Sequence, residues 1–355
     1  MESGNKTTIN IGKRAIGAGR PVYVIAEMSA NHNQDFEQAV RIIEAAKRSG
    51  ADAVKIQTYT PDTMTLASDK PGFKIGPGSP WAGQNLYDLY AEASTPWDWQ
   101  AKLQKAAVDL GLDFFSSAFD DRSVDFLETL NVPVHKVASF EIVDLPLIRK
   151  MARTGKPLII STGMSTLEEI KEAVDTAAAA GAVQIALLKC TSAYPAPASE
   201  MNLRGIPVLA ETFRVPVGLS DHTLESTVAV AAVSLGACIV EKHFTLSRAV
   251  VGPDSAFSLE PAEFESLVRS IRTAEAAFGN PVFGAGKKEK DMLLFRRSLY
   301  IAEDIRAGEV FTEKNVRVIR PGHGLHPRHF EEVLGRKASS DLSRGTPLGW
   351  DHLSA

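Results

Sequence analysis

Two histidines that follow apolar runs are the residues of this chain best suited to bind a metal. His222 ends the segment Val217–His222, and His243 lies in Val240–Phe244; each segment changes abruptly from strand-like to polar. Residues 223–236 between them have helical spacing and end at a glycine, so the two strands should be parallel neighbours or near-neighbours. Their imidazoles could share a divalent metal and leave positions open for substrate. Two separate hydrogen-bonded core histidines would explain these segments equally well.

Three lysines, Lys55, Lys136 and Lys189, also follow predicted strands. These strands and the other predicted strands of the series end in hydroxyl and amide side chains: Gln57, Ser117, Ser139, Ser161, Ser192, Tyr194 and Ser220. Partly buried ammonium groups without partners are costly, so we predict that the lysines converge on a small multiply charged anion such as a phosphate ester. A lysine that extends its stem to solvent and a lysine that forms a Schiff base remain alternatives for any one of them.

Glu27 and Glu141 are the candidates for general base and general acid, because each follows a strand on the side where the lysines lie. Glu141 could equally be the charge partner of Lys136. Tyr194 could pack against its neighbours or contact the substrate, and its position alone does not decide between the two.

The elements that must position these residues repeat as strand, polar tip and amphipathic helix. Eight such units occur in about 260 residues, which is typical of a (β/α)8 TIM barrel, where the chemistry lies at the carboxyl ends of the strands. An open doubly wound sheet would need a glycine-rich turn after the first strand, and Ile25–Met28 has none. Residues 58–94 form a long insertion rich in proline and glycine.

The predicted domains are a barrel over residues 1–280, a linker over 281–294 and a small β-rich domain over 295–355. The last of these is near the lower size limit for independent stability, so we expect it to pack against another surface.

Composition is that of an ordinary soluble protein. The chain has 355 residues and a net charge of −4, which argues against a nucleic-acid surface. Cys190 and Cys238 lie in apolar runs and are expected to be buried and reduced. Met1–Arg20 lacks the apolar core of a secretory signal, and no apolar run approaches the ~18 residues of a membrane span. We therefore expect a cytoplasmic protein.

Seven motifs in order resemble the bacterial sialic acid synthase family. They are Ala26–Asn33, Lys55–Asp62, Lys136–Glu141, Ser161–Met164, Lys189–Pro195, Gly218–His222 and Glu241–Phe244. Within that family, Met28–Asn31, Tyr59–Asp62 and Arg320–Pro327 are similar to the branch that makes pseudaminic acid. Ala118 stands where the family usually has proline, a change that removes no chemical group.

The resemblance implies condensation of phosphoenolpyruvate with an open-chain diacetamido-trideoxyhexose, 2,4-diacetamido-2,4,6-trideoxy-L-altrose, releasing phosphate by C–O cleavage. A divalent metal, usually Mn²⁺ with Mg²⁺ or Co²⁺ as alternatives, would lie on His222 and His243. The implied catalytic residues are Glu27, Lys55, Lys136, His222 and His243.

The same resemblance implies the substrate contacts. Phosphoenolpyruvate would lie on Lys55, Ser117, Lys136, Ser139, Ser161, Ser192 and Ser220, and the sugar on Glu27, Gln57, Tyr194 and Asp254. Glu141 and Lys189 are further candidates. The C-terminal domain resembles the family's antifreeze-like (β-clip, SAF) domain, which implies a domain-swapped homodimer in which Arg320 reaches the partner's barrel.

Two other functions compete with this one. The same chemistry could act on N-acetylmannosamine or on the legionaminate precursor. A non-catalytic carbohydrate- or ice-binding protein would explain the C-terminal domain, but it leaves the lysines, hydroxyls and histidines of the barrel unexplained.

Overall fold

A computed structural model describes residues 8–354, and contacts divide the chain into two compact units with a boundary between Gly279 and Asn280. Eight parallel strands of the first unit close into a barrel, which confirms the predicted fold class. These strands are β3 (Tyr23–Glu27), β4 (Ala53–Thr58), β5 (Asp113–Ala118), β6 (His135–Val137), β7 (Leu158–Ser161), β8 (Ile185–Cys190), β9 (Val217–Asp221) and β10 (Ile239–His243).

One helix outside the barrel follows each strand in turn. These helices are α1 (Phe36–Arg48), α4 (Trp97–Asp109), α5 (Asp121–Thr129), α6 (Leu145–Ala152), α7 (Leu167–Ala179), α8 (Gly205–Phe213), α9 (Ser226–Ser234) and α10 (Pro261–Phe278). Their starts follow from capping chemistry: the Asp120 side chain accepts hydrogen bonds from the first turn of α5, and Thr166 and Glu169 form a capping box on α7. Within residues 8–354, no helix combines the length and apolarity needed to cross a membrane.

The register of the strands sets side chains of the site beside one another. Glu27 is the partner of both His243 on β10 and Lys55 on β4. On the next two strands Ser117 is the partner of Gln57 and of Lys136. Since alternate residues of a strand face the same side, one register row brings groups from distant parts of the sequence to the barrel mouth.

A hairpin that was not predicted from the sequence covers the opposite end of the barrel. It consists of β1 (Thr8–Ile11) and β2 (Arg14–Gly17). Arg14 contacts Asp52 and Asp113, which precede β4 and begin β5, at 3.3 and 3.0 Å. Ile9, Ile11 and Ile16 are buried in the barrel's apolar core. The hairpin thus forms a floor under the amino ends of the strands. The predicted absence of a secretory signal in Met1–Arg20 concerns in part residues 1–7, which lie outside the described residues.

The insertion between β4 and α4 contains two helices of its own. They are α2 (Pro61–Met64) and α3 (Leu86–Ala93). The Trp81 indole donates a hydrogen bond of 2.8 Å to the Pro253 carbonyl in the loop after β10. The insertion is therefore an ordered wall at the barrel mouth.

The second unit has a small core of its own. Its β11 (Ser298–Ile301) and β12 (Val316–Ile319) pair antiparallel, and a short α11 (Phe330–Val333) follows. Leu299, Ile301, Phe311, Val316 and Leu348 are among its buried residues.

Candidate active site

A cavity of about 400 Å³ opens at the carboxyl ends of the barrel strands. This volume is in the range of small-molecule sites. Side chains from β4, β5, β6, β9 and β10 line it, together with Ser29 just after β3, the insertion and the loop after β10. Glu27 at the end of β3 is not part of the lining, but it contacts Lys55, which is. Predicted site residues in this lining are Lys55, Gln57, Ser117, Lys136, Ser139, Glu141, Tyr194, Ser220, His222, His243 and Asp254.

Lys55 lies at the centre of a buried charge cluster. Its Nζ is 2.6 Å from Glu27 Oε2, 3.6 Å from Glu241 Oε1 and 3.1 Å from Ser117 Oγ. Burial alone would lower the pKa of Lys55, but the charges of Glu241 and Glu27 outweigh it and raise the pKa. The ammonium group is therefore kept charged, with two carboxylates beside it.

Lys136 is the second buried lysine, and its partners are neutral. Its Nζ donates hydrogen bonds to Ser161 Oγ at 2.7 Å and to the Val137 carbonyl at 2.9 Å. Burial lowers the pKa of Lys136. The charge of Glu241 offsets the effect of burial only in part. An ammonium group whose hydrogen-bond partners are neutral suits an anion, because an incoming phosphate or carboxylate would supply a directly bonded counter-charge.

Ser139 and Ser192 come together next to this site because residue 163 is glycine. A Cβ at Gly163 would lie 2.5 Å from Ser139 Cβ and 3.0 Å from Ser192 Oγ, and the Gly163 φ is +47°. Ser161 and Ser192 are thus close to the lysines and hydroxyls without lining the cavity.

The side-chain carboxyl groups of Glu27 and Glu141 are both largely shielded from solvent. Burial raises the pKa of Glu27 to about 7 against the opposing charge of Lys55, and burial likewise raises the pKa of Glu141 to about 7. Oε2 of Glu141 has no hydrogen-bond partner among the described residues. Both carboxyls are therefore poised to exchange a proton near neutral pH, as a general acid or base must.

The two histidines lie side by side, with ring centroids 5.5 Å apart. His222 Nδ1 donates a hydrogen bond of 2.8 Å to the Thr191 carbonyl, so in the neutral ring the lone pair is on Nε2. The pKa of His222 is raised because its contacts with Cys190 and the Thr191 carbonyl outweigh burial, so metal binding at this ring would displace a proton. Burial lowers the pKa of His243 well below its ordinary value, so this ring is neutral, and its Nδ1 is buried with no partner among the described residues. Each ring therefore offers a nitrogen donor.

This donor set fits a divalent metal that keeps most of its coordination positions for substrate and water. Residues 8–354 contain no group of three or more His, Cys, Asp or Glu side chains arranged to hold a metal, so His222 and His243 would be the ligands from those residue types. Buried polar atoms in proteins almost always have a partner, so the buried, unpaired Nδ1 of His243 indicates that this nitrogen binds a metal or another ligand.

The sugar candidates lie on the side of the cavity next to the histidines. The Tyr194 ring centroid is 4.3 Å from that of His222. Asp254 accepts hydrogen bonds from Ser29 Oγ and, at 3.2 Å, from the Ala30 amide. The Gln57 amide is 3.4 Å from Glu27 Oε1.

The structure does not bring Lys189 into this cavity, contrary to the expectation that three lysines converge. Its Nζ donates a 2.7 Å hydrogen bond to the Cys190 carbonyl, and its stem approaches Gly205 at the start of α8. The physical reason is strand alternation: Cys190 points inward, with Sγ 3.2 Å from Ser139 Oγ, so Lys189 before it points outward. Two lysines, not three, meet at the mouth.

Arg320 lies in the second unit, directly after β12, and its side chain is exposed. Cys190 and Cys238 are free and buried, as expected.

Three features of the site were not predicted from the sequence. Glu241 precedes His243 by two residues, so the period of a strand could have placed both on one face. Cys190 could have been found by the same period. Trp81 and Phe257 pack against Tyr194 at 5.6 and 5.0 Å, and their loops carry no periodic signal that predicts this.

Barrel enzymes bind substrate at the carboxyl ends of their strands, and this mouth defines an enzyme that acts on an anion. The NeuB family model matches residues 42–283, and the SAF domain model matches residues 296–354. The chain belongs to the NeuB family, whose enzymes condense phosphoenolpyruvate with acetamido sugars and in general depend on a metal.

Individual relatives cover almost the whole chain. A protein named pseudaminic acid synthase from Helicobacter pylori is 46% identical over 94% of this chain and 98% of its own. A protein of the same name from Campylobacter jejuni is 44% identical over 93% of this chain and 96% of its own. The crystal structure of an N-acetylneuraminic acid synthetase from Leptospira borgpetersenii, in complex with citrate, matches with a TM-score of 0.72 and 28% identity, covering 81% of this chain and 95% of that one.

Proposed function

We propose that this chain is a pseudaminic acid synthase. It condenses phosphoenolpyruvate with open-chain 2,4-diacetamido-2,4,6-trideoxy-L-altrose and water, giving pseudaminic acid and phosphate. The observation that carries the proposal is that one cavity holds two buried lysines beside two adjacent imidazoles, in a chain 46% identical to a protein of that name.

The anionic substrate is proposed to occupy the basic side of the cavity. Lys136 with Ser161, Ser139 and Ser192 would bind one charged group of phosphoenolpyruvate, and Lys55 with Ser117 the other, with Ser220 nearby. The ammonium groups are already fixed, so they can stabilise charge that moves onto the leaving phosphate without reorganising.

The sugar is proposed to lie between the histidines and the insertion. A divalent metal on His222 and His243, for which Mn²⁺ is our first candidate and Mg²⁺ or Co²⁺ the alternatives, would polarise the sugar aldehyde when bound. Gln57, Tyr194 and Asp254 would orient the sugar chain. Lys189 is left out of this assignment because it points away from the cavity.

The reaction makes one C–C bond and breaks one C–O bond. C3 of phosphoenolpyruvate bonds to the aldehyde carbon, the aldehyde oxygen gains a proton, water adds at C2, and the C2–O bond to phosphate then breaks. Glu27 and Glu141 are the groups whose raised pKa values suit them to move these protons.

The chain is further proposed to work as a domain-swapped homodimer in the cytoplasm, where phosphoenolpyruvate is produced. The apolar side chains of Val282, Phe283, Met292 and Phe295 are exposed in the described chain, Phe283 at 97%. Exposed apolar groups of this size support burial against a second copy. Arg320 would then reach the partner's barrel.

Phosphate release with Mn²⁺, phosphoenolpyruvate and each candidate sugar tests the function. We expect release with the diacetamido-trideoxy sugar in preference to N-acetylmannosamine and the legionaminate precursor. Preference for another sugar would identify a different synthase. The absence of release with any of them would leave a binding protein.

A further inference from the structure

The wall that the insertion contributes to the active-site cavity is apolar, whereas the opposite side is charged. Apolar and aromatic side chains of this wall include Met64, Ile75, Trp81, Leu86, Leu89 and Tyr90. Residues 59–93 also contain six charged residues, and none of their side chains lines the cavity; the polar groups that this segment adds to the lining are the hydroxyls of Tyr59, Ser79 and Tyr90. The surface that the segment presents to the site is therefore uncharged and mainly apolar.

Helix α3 shows how the sequence produces this face. Leu86, Leu89, Tyr90 and Ala93 follow the spacing i, i+3, i+4, i+7 and all line the cavity, while Asp88 and Glu92 are exposed. The Asn85 side chain accepts a hydrogen bond from the Tyr87 amide and fixes the start of the helix.

Trp81 anchors the wall next to the reacting groups. Its indole N–H is satisfied by the Pro253 carbonyl, so the ring presents only carbon to the cavity. The ring centroid lies 5.6 Å from Tyr194 and 6.0 Å from Phe257, and Phe257 in turn is 5.0 Å from His243. A sugar whose aldehyde lies at the histidines would extend along this wall.

We propose that Met64, Ile75, Trp81, Leu86 and Leu89, here called the apolar wall, determine sugar specificity by receiving the C6 methyl group of a 6-deoxy sugar. The inference rests on the proposed function and names the part of the substrate that this surface selects. A hydroxyl at C6 that faces these five side chains would lose its hydrogen bonds to water and find no partner among them, because the Trp81 N–H is already bound to the Pro253 carbonyl and the other four are aliphatic or thioether groups. An apolar surface of this kind rejects an added hydroxyl by up to about 100-fold.

The test compares two sugars that differ only at C6: the diacetamido-trideoxy sugar and its 6-hydroxy counterpart, each assayed by phosphate release and as a competitive inhibitor. We expect the wild-type protein to prefer the 6-deoxy sugar by about tenfold or more. Leu86→Asn should reduce the preference to about threefold or less, mainly by lowering kcat/KM for the 6-deoxy sugar. Leu66→Asn is the matched control, because Leu66 lies in the same insertion but is 67% exposed and does not line the cavity.

Ile75→Asn provides a second variant if Leu86→Asn does not fold. A wild-type protein without preference at C6, or variants that keep the full preference, would overturn the inference while phosphate release still supported the function. A wild-type protein that neither turns over nor binds either sugar would overturn both.

Discussion

At the scale of the residue, Glu141 shows how burial turns into a dependence on pH. The folded protein binds the proton of this carboxyl more tightly than the unfolded chain does, because burial raises its pKa from 4.5 to about 7. The stabilisation from the protonated group is therefore fully present below about pH 4.5 and is lost as the pH rises through about 7.

Glu141→Gln should remove this dependence, since the amide never ionises. We expect the free energy of unfolding of the variant to rise relative to wild type between roughly pH 5 and pH 8, measured by urea denaturation without ligands. Glu172→Gln on the exposed face of α7 is the control. An equal difference from wild type at both pH values would contradict the expectation.

The histidine pair gives the second prediction at this scale. His222→Ala and His243→Ala should each abolish metal-dependent turnover and weaken Mn²⁺ binding in a calorimetric titration, because each removes one of two nitrogen donors. The fold should survive, as judged by circular dichroism, and His329→Ala in the second unit should change neither property. Full turnover by chelator-treated wild-type protein would refute the metal assignment.

Individual residues also show how much of the site could be predicted from the sequence. Polar residues at strand ends predicted Glu27, Lys55, Lys136, His222 and His243, and register brings them to one mouth. The predicted position of Lys189 was wrong because it was inferred from the motif and from the end of the strand alone. Alternate residues of a strand face opposite sides, and Cys190 is the one that points into the barrel.

At the scale of the element, the ends of β9 and β10 are joined by an ion pair outside the barrel wall. Lys242 Nζ is 2.7 Å from Asp221 Oδ2 and also donates to the Thr223 carbonyl, and Asp221 Oδ1 accepts from the Thr223 amide and hydroxyl. The side chains of Lys242 and Asp221 are 1% and 0% exposed. Each residue adjoins one of the paired histidines, so this contact fixes both strand ends that hold them.

Asp221→Asn should be strongly destabilising, because it leaves the Lys242 charge buried without a counter-ion. We expect a loss of about 3–5 kcal/mol in the free energy of unfolding, measured by urea denaturation, together with weaker Mn²⁺ binding. Asp175→Asn, which breaks the exposed Lys171–Asp175 pair on α7, should cost less than about 1 kcal/mol. A similar cost for the two variants would show that the buried pair has no special role.

Helices and strands also differ in how well the sequence predicts them. The barrel helices were predictable because capping residues and apolar periodicity agree, as for Asp120 on α5. The hairpin of β1 and β2 was missed because two four-residue strands give too short a pattern. Helix α3 was not predicted, because it lies in a segment whose prolines and glycines are typical of a loop.

At the scale of the whole molecule, the proposed domain swap makes each active site depend on two chains. Arg320→Ala alone should lower kcat/KM, and His222→Ala alone should be inactive. Mixed and refolded together, they should recover activity to about a quarter of wild type, since half of the dimers are mixed and each mixed dimer holds one complete site.

Recovery in the mixture needs Arg320 of one chain to complete the barrel of the other. No recovery, with mixed dimers demonstrated by mass spectrometry of differently tagged chains, would refute the swap. The matched control replaces Arg320→Ala in the mixture with Arg317→Ala, a change of an exposed arginine on β12.

The hairpin of β1 and β2 also determines the route by which ligands reach the active site. With the amino ends of the strands covered by Arg14 and three buried isoleucines, ligands come and go through the mouth. In the proposed assignment phosphoenolpyruvate lies on Lys55 and Lys136 and the sugar against the insertion, and all of these residues line the same cavity. If a bound sugar obstructs the path to the lysines, phosphoenolpyruvate binds first, and we expect product-inhibition kinetics to show an ordered rather than a random sequence.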